Sequence, residues 1–296
     1  MKLAKSVAKN SFYQSLTSLM DKAGALIFAI ILARLLQPEL FGVYQLALSI
    51  GFLFTAFADL GVGSTMIRWV SYALGERDKA LVRSYYRYLL RIKLLLLFFA
   101  FTILFFASPF LTYTIFGKPE LLLPLQIMAA YISLYSFFSF LHSTFLSLQV
   151  LKYATAGRVV FEVSRIIIVP VLVIAGFSVW GAILGTCFAI MLAVLVLLFI
   201  LVKKYKYLLR GETKQIKQRS LLTFLSYLTL SSMSGLFFVH IDSVMLGYFL
   251  ANEAVGFYKA ASAIVFSVIG VIAITAIMLP VFTQLESIRL KNAFRK

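Results

Sequence analysis

The chain has 296 residues, of which 62% are apolar and 13% are charged, and its formal net charge is +17. So few charges argue against a soluble domain of this length, which would need more polar surface. The basic residues lie between long apolar runs rather than along one face, which argues against a nucleic-acid-binding protein. The single cysteine, Cys187, lies within an apolar run, so neither a disulfide framework nor a thiolate metal site is expected.

Apolar runs of about 20 residues match the thickness of a bilayer when they are helical. The sequence therefore predicts an all-α, polytopic transmembrane bundle of about eight helices. In chain order, a basic segment at 1–11 comes first, and it either lies on an anionic membrane surface or only anchors the topology. A six-helix N-terminal half follows at 12–202, then a basic linker at 203–220 and two further helices at 221–296. The predicted spans are 12–36, 41–69, 89–113, 121–150, 153–175, 178–202, 221–250 and 254–285.

Basic residues alternate between the two sides of this predicted bundle. Nearly all lysines and arginines outside the spans fall on every second connection, whereas the other connections hold only Lys118 and, at a helix end, Arg34. The basic side of a membrane protein faces the cytoplasm. The sequence thus predicts a multi-pass protein of the cell membrane with both termini cytoplasmic.

Two segments of the chain form an internal repeat. LARLLQPELFGVYQLALSI at 32–50 aligns without a gap with LGYFLANEAVGFYKAASAI at 246–264 when Gly42 is placed on Gly256. The copies share identical residues at Leu32, Leu36, Glu39, Gly42, Tyr44, Ala47 and Ile50. Six predicted spans separate the copies, so both have the same orientation, and the second half would stop after two helices. Parallel repeats of this kind favour a transporter whose site lies between two halves.

Several motifs carry a resemblance to a known family. They are Lys9-Asn10, ARLLQPELFGVY at 33–44, Asp59-Leu60-Gly61, Arg68, Asp242, VGFY at 255–258 with Ala261, and Pro280-Val281-Phe282. With these motifs the chain resembles the polysaccharide-transporter branch of the multidrug/oligosaccharidyl-lipid/polysaccharide flippase superfamily. Two features depart from the family: Gln37, where a glycine usually precedes the proline, and the length, since relatives have twelve to fourteen helices.

The resemblance implies a flippase that moves lipid-linked oligosaccharides from the inner to the outer leaflet by alternating access. Its implied partners are membrane lipid, a pyrophosphate-linked oligosaccharide and glycan-assembly proteins, with no nucleic acid. The sequence contains no metal-binding histidine pair, nucleophile elbow or glycine-rich phosphate loop, so we expect neither an enzyme nor a cofactor.

Charged residues within the predicted spans are the candidate site, because a charge at mid-bilayer costs about 2.5–3.5 kcal/mol. Arg158, Glu162 and Arg165 share one face of the fifth span, and Arg165 lies about 18 Å along it. They predict either a cationic wall for a pyrophosphate, with Glu162 holding the arginines, or an internally paired triad that packs two helices. Lys22 and Asp242 are the other cavity candidates.

The remaining intramembrane charges, Asp21, Asp59 and Lys259, are candidates for charge pairing or coupling, and pairing between helices is favoured for Asp59. An aromatic stretch at 135–140 could stack on sugar rings, although such residues more often fill the bundle. A third group is expected to be structural, as parts of the family motifs: Arg34, Pro38, Gly42, Tyr44, Arg68, Gly256 and Tyr258.

Two alternatives to the flippase remain open. One is a cation-coupled small-molecule exporter of the same superfamily, with Asp21 and Asp242 as exchange sites. The other is a truncated, non-transporting membrane subunit, for which the absence of four expected helices is the support.

Overall fold

The computed structural model describes residues 2–216 and 218–265, with side chains from residue 22 onward except at 230–232. The described ranges contain helices and turns and no strand. The long helices are α1 (Lys2–Asp59), α2 (Val62–Gly75), α3 (Lys79–Pro109), α4 (Leu122–Ser147), α5 (Leu151–Leu172), α6 (Ser178–Lys204) and α7 (Gln218–Phe249). A further helix, α8, is described over 252–265.

Five apolar helical segments are long enough to cross a membrane, and two of them, Lys22–Gly75 and Leu151–Lys204, are 54 residues long. A straight helix of that length would measure about 81 Å, far more than a bilayer core of about 30 Å. Both segments fold back on themselves. The rings of Phe28 and Tyr44 lie 6.5 Å apart across the first turn, and α5 packs along α6 across the second. The predicted all-α membrane bundle is therefore confirmed.

The first fold-back is at Gln37, whose φ of 60° and ψ of 169° interrupt the helical backbone of α1. Pro38 follows it, and proline disfavours a helical conformation in the residue before it while suiting the first turn of the next helix. We call the parts of α1 before and after Gln37 its first and second arms. The second fold-back contains Gly176, at a φ of 93°, and Ser178, at 48°.

The observed helices differ from the predicted spans at several ends. The second predicted span is divided, because Leu60 and Gly61 adopt left-handed conformations between α1 and α2. The span predicted at 89 begins at Lys79, because the Asp78 carboxylate accepts hydrogen bonds from the backbone N–H groups of Ala80 and Leu81 and caps α3. Of the last predicted span, residues 266–285 lie outside the described residues.

One end of the bundle, here called the basic end, carries the connections 76–78 and 148–150 and the segment 205–216. There Arg83 donates to the carbonyl of Tyr207 at 2.5 Å and to that of Glu212, and Arg87 donates to that of Leu209. Lys214 forms an ion pair with Asp78 at 2.5 Å, and this hydrogen bond, with the helix cap, lowers the pKa of the Asp78 carboxyl. The connection before α7 is thus fastened to the start of α3.

The opposite end, here called the far end, brings the two copies of the repeat into direct contact. A Cβ atom added to Gly42 would lie 1.8 Å from the carbonyl oxygen of Asn252, and one added to Gly256 would lie 2.1 Å from that of Pro38. Asn252 is the repeat counterpart of Pro38, so the contact is reciprocal. Such reciprocity is what a two-fold axis between the copies produces, as expected for a parallel repeat.

Candidate functional site

A cavity of about 330 Å³ lies between the two arms of α1, α4 and α5. Among the described residues, its charged lining comes from a single helix, α5, which contributes Arg158, Glu162 and Arg165. This one-sided placement follows from sequence spacing, because residues at i, i+4 and i+7 share a helix face. Three of the predicted site residues therefore line one cavity, here called the arginine cavity.

Within this cavity, one arginine is paired with the carboxylate. Arg165 Nη2 lies 2.6 Å from Glu162 Oε2, and their side chains are 13% and 7% exposed. Glu162 fits there because Gly24 of the first arm carries no side chain: a Cβ atom on Gly24 would lie 2.8 Å from Glu162 Oε2. With two guanidinium groups and one carboxylate, the three side chains carry a net charge of +1.

Aromatic rings hold both guanidinium groups in place. Arg165 lies 4.2 Å from the ring centre of Phe28 and 5.0 Å from that of Phe161, and Arg158 lies 5.4 Å from that of Phe138. A ring face attracts a guanidinium while leaving the N–H groups at its edge able to donate. The buried Arg165 Nε has no hydrogen-bond partner among the described residues. This geometry suits an anion with several acceptor oxygens, such as a phosphate.

The rest of the lining is aromatic and aliphatic, with one amide side chain, that of Gln45. Tyr131 and Tyr135 of α4 pack edge-on against Phe52, at 6.2 and 5.3 Å between ring centres. Phe52 also stacks on His240 of α7 at 5.3 Å. The aromatic stretch at 135–140 is therefore split: Tyr135 lines the cavity, whereas Phe138 and Phe140 are buried in the core.

A second cavity, of about 220 Å³, shares Tyr135 with the first and is lined by Asp59 and Ser136. Asp59 pairs at 2.7 Å with Lys93 of α3, which is fully buried. The Lys93 ammonium also donates to Ser136 Oγ at 2.6 Å and to the Ala58 carbonyl at 2.9 Å. Asp59 thus pairs with a charged residue of another helix, which is the role that the sequence analysis favours for it.

The predicted residues of the second repeat copy lie apart from the arginine cavity. Tyr258 of α8 donates to Asp242 of α7 at 2.9 Å, and Lys259 lies within electrostatic range of the same carboxylate. The two residues predicted for different roles, Asp242 and Tyr258, are therefore direct partners.

Other predicted residues are more scattered. Lys22 is half-buried one turn before Ala25, the first lining residue of the arginine cavity. The side chain of Asp21 lies outside the described residues. Arg34 is exposed and borders a crevice between the first arm of α1 and α8. Arg68 lies at the basic end, 4.2 Å from the ring centre of Phe224.

Several residues of these cavities are not among those that the sequence singles out. Tyr131 and Gln45 line the arginine cavity, as does Tyr44, which is predicted to be structural. Lys93 is not singled out either, although it lies four residues inside the span predicted to begin at Leu89. That position was the available signal for a buried lysine.

A family model described as "Polysaccharide biosynthesis protein" matches residues 7–286 of the chain. The sequence matches none of the curated proteins with which it was compared.

Solved structures share the fold. An inward-facing multidrug resistance MATE family transporter of the MOP superfamily matches with a TM-score of 0.71 and 17% identity, over 88% of this chain and 61% of that one. The MATE multidrug transporter DinF-BH matches with a TM-score of 0.72 and 16% identity, over 90% and 61%. A MOP superfamily transporter from Pyrococcus furiosus, described as having a binding pocket of reverse polarity, matches with a TM-score of 0.64 and 14% identity, over 90% and 65%.

The chain therefore spans less than two thirds of the length of these transporters. At these identities the likeness establishes a common fold.

Proposed function

The chain belongs to the polysaccharide biosynthesis protein family, and we propose that it is part of a flippase that carries lipid-linked oligosaccharides across the membrane. The observation that carries this proposal is the arginine cavity. Arg158 and Arg165 offer guanidinium donors of the kind that bind phosphate oxygens. Tyr131 and Tyr135 line the same cavity, and aromatic side chains suit the sugar next to a pyrophosphate.

We infer the orientation of the protein from its charges. The basic end, with its lysine- and arginine-rich connections, is taken to face the cytoplasm, because cytoplasmic loops carry an excess of basic residues. In a plasma membrane, the basic end then lies on the side of the cytoplasmic leaflet. A lipid-linked substrate that is assembled in this leaflet enters the cavity from it.

The cation-coupled exporter has weaker support. Of its two predicted exchange sites, Asp242 accepts a hydrogen bond from Tyr258 and lies within electrostatic range of Lys259, and the side chain of Asp21 lies outside the described residues. A net positive cavity also disfavours cationic substrates.

The test is translocation of a fluorescent polyprenyl-pyrophosphate oligosaccharide in proteoliposomes that contain the full-length protein. We expect the Arg158→Ala, Arg165→Ala double variant to lose at least about tenfold in rate, since each charge-assisted contact contributes roughly 1.5–3 kcal/mol. A control removes two exposed basic residues of the basic end, Lys79→Ala with Arg210→Ala, and should translocate at the unaltered rate. Full activity of the cavity variant would contradict the proposal.

A further inference from the structure

A third cavity, of about 590 Å³, lies at the basic end between α2 and α7. We call it the basic-end cavity. Among the described residues, its lining combines two arginines, two aliphatic hydroxyl side chains and three aromatic rings, without a carboxylate: Arg68, Trp69, Arg219, Ser220, Thr223, Phe224 and Tyr227. The predicted transport cavity does not include any of these residues.

The two arginines retain their hydrogen-bonding capacity. Arg68 of α2 lies 4.2 Å from the ring centre of Phe224 of α7, a contact that uses the guanidinium face and leaves its edge N–H groups able to donate. Among the described residues, neither Arg68 nor Arg219 donates a side-chain hydrogen bond or forms an ion pair. Both arginines are exposed, so the cavity presents two cationic groups to a ligand.

Trp69 supplies an independent observation. Its indole Nε1 is buried and has no acceptor among the described residues. Buried donors of this kind are nearly always satisfied by protein, water or ligand. The Trp69 side chain also lines the basic-end cavity, so a ligand that binds there changes the surroundings of its indole ring.

We propose that the basic-end cavity binds a phosphate group, carried either by a lipid headgroup or by a soluble phosphate. Arginine binds phosphate oxygens in a bidentate manner, and hydroxyl side chains such as Ser220 and Thr223 donate to the same oxygens. Exposed apolar side chains near this end, including Leu222 at 45% and Tyr227 at 74%, suit the boundary between acyl chains and headgroups.

Binding here would join α2 to α7. Helix α2 continues the first repeat copy, and α7 leads into the second, so a phosphate held by Arg68 and Arg219 stabilises the arrangement in which the two helices meet at the basic end. A ligand shifts such an equilibrium only through its different affinities for the two states. The proposal stands without the flippase function, because it concerns other residues and a binding measurement.

Trp69 allows a local test. The chain has two tryptophans, Trp69 and Trp180, so Trp69 reports alone in a Trp180→Phe background. The full-length protein in neutral detergent is titrated at constant ionic strength with dioctanoyl-phosphatidylglycerol, with inorganic phosphate and with dioctanoylglycerol, which lacks a phosphate. We expect a saturable change in Trp69 emission with a phosphate-bearing titrant. Saturation with the lipid alone identifies a headgroup, and equal affinity for inorganic phosphate identifies a soluble source.

Substitutions decide whether the two arginines form the site. Arg68→Gln and Arg219→Gln should each weaken binding about tenfold, while Arg68→Lys should retain most of the affinity and guard against a folding defect. Arg210→Gln removes an exposed charge of the same end outside the cavity and should leave binding unchanged. An equal response to dioctanoylglycerol, unaltered binding in the Arg68 and Arg219 variants, or equal weakening in Arg210→Gln would overturn the proposal.

Discussion

The ion pair between Lys93 and Asp59 is unequally buried, since the lysine side chain is 0% exposed and the aspartate side chain 36%. Most of the desolvation cost of the pair is therefore that of the ammonium group. Removing one partner of a buried pair costs mainly through the charge that is left behind. Replacing the aspartate and replacing the lysine should therefore lower the free energy of unfolding by different amounts.

We predict that Asp59→Asn lowers the free energy of unfolding by about 2–3 kcal/mol, whereas Lys93→Met costs about 1 kcal/mol or less. The first leaves a buried cation without a counter-charge, and the second leaves a carboxylate that faces a cavity. Thermal unfolding of the detergent-solubilised protein measures the difference, and the double variant should recover most of the loss caused by Asp59→Asn. Equal destabilisation by both single variants would show that the asymmetry of burial does not matter.

The sequence predicted only some of the residues that line the arginine cavity. The spacing of Arg158, Glu162 and Arg165 follows from a single helix, so their common face was predictable. Tyr131 and Gln45 join them from other helices, and one sequence does not reveal which faces of separate helices meet. Lys93 lies near the start of a predicted span, where hydropathy does not distinguish a buried lysine from a lysine of the preceding loop.

Among the elements, the hairpin of α1 contains an unfavourable backbone conformation. Gln37 has φ of 60° and ψ of 169°, a region populated almost only by glycine and costing other residues about 1–3 kcal/mol. The resemblance to the polysaccharide-transporter branch had marked this position, because a glycine usually precedes the proline there. The conformation gives the physical reason for that preference.

Gln37→Gly should therefore stabilise the protein by about 1 kcal/mol, which is the relief of strain less the greater entropy of the unfolded glycine. The midpoint of thermal unfolding is the measurement. Glu39→Gly, at an exposed helical position two residues on, is the matched control and should destabilise by about 0.5–1 kcal/mol. A Gln37→Gly variant no more stable than the parent would mean that the turn stores no strain.

The elements themselves were largely predictable, and their ends were not. Long apolar runs determine where helices cross the membrane, so the predicted spans at 121–150 and 178–202 lie close to α4 and α6. The start of α3 was missed by ten residues because its first turns are polar and depend on the Asp78 cap. The break at Leu60 and Gly61 falls within an apolar run, where hydropathy does not indicate that a helix ends.

For the molecule as a whole, the far-end contact links the two repeat copies through backbone atoms. Side chains can rotate away from an added methyl group, but the carbonyls of Asn252 and Pro38 move only with their helices. Adding one methyl group at Gly42 or Gly256 should therefore push the two helices apart.

We predict that Gly42→Ala and Gly256→Ala each separate the copies at the far end. The distance between spin labels at Glu39→Cys and Glu253→Cys, which are repeat counterparts, measures this separation in a Cys187→Ser background. Gly235→Ala is the control, because a Cβ atom there meets nothing within 4 Å. An unchanged distance in the Gly42 and Gly256 variants would contradict a tight backbone contact.

The repeat was visible in the sequence because matching Glu, Gly and Tyr residues are rare in an apolar chain. Its reciprocal geometry was not visible, since an offset shows that two segments correspond but not that they touch.

The buried Lys93 also has a consequence for biogenesis. As α3 leaves the translocon, its ammonium group would face acyl chains unless Asp59 of α1 is already beside it, and Ser136 of α4 is made only later. An isolated lysine in a span costs about 2.5–3.5 kcal/mol on insertion. Release of α3 into lipid is therefore coupled to its neighbours, so that the first helices are inserted as a cooperative group rather than one at a time.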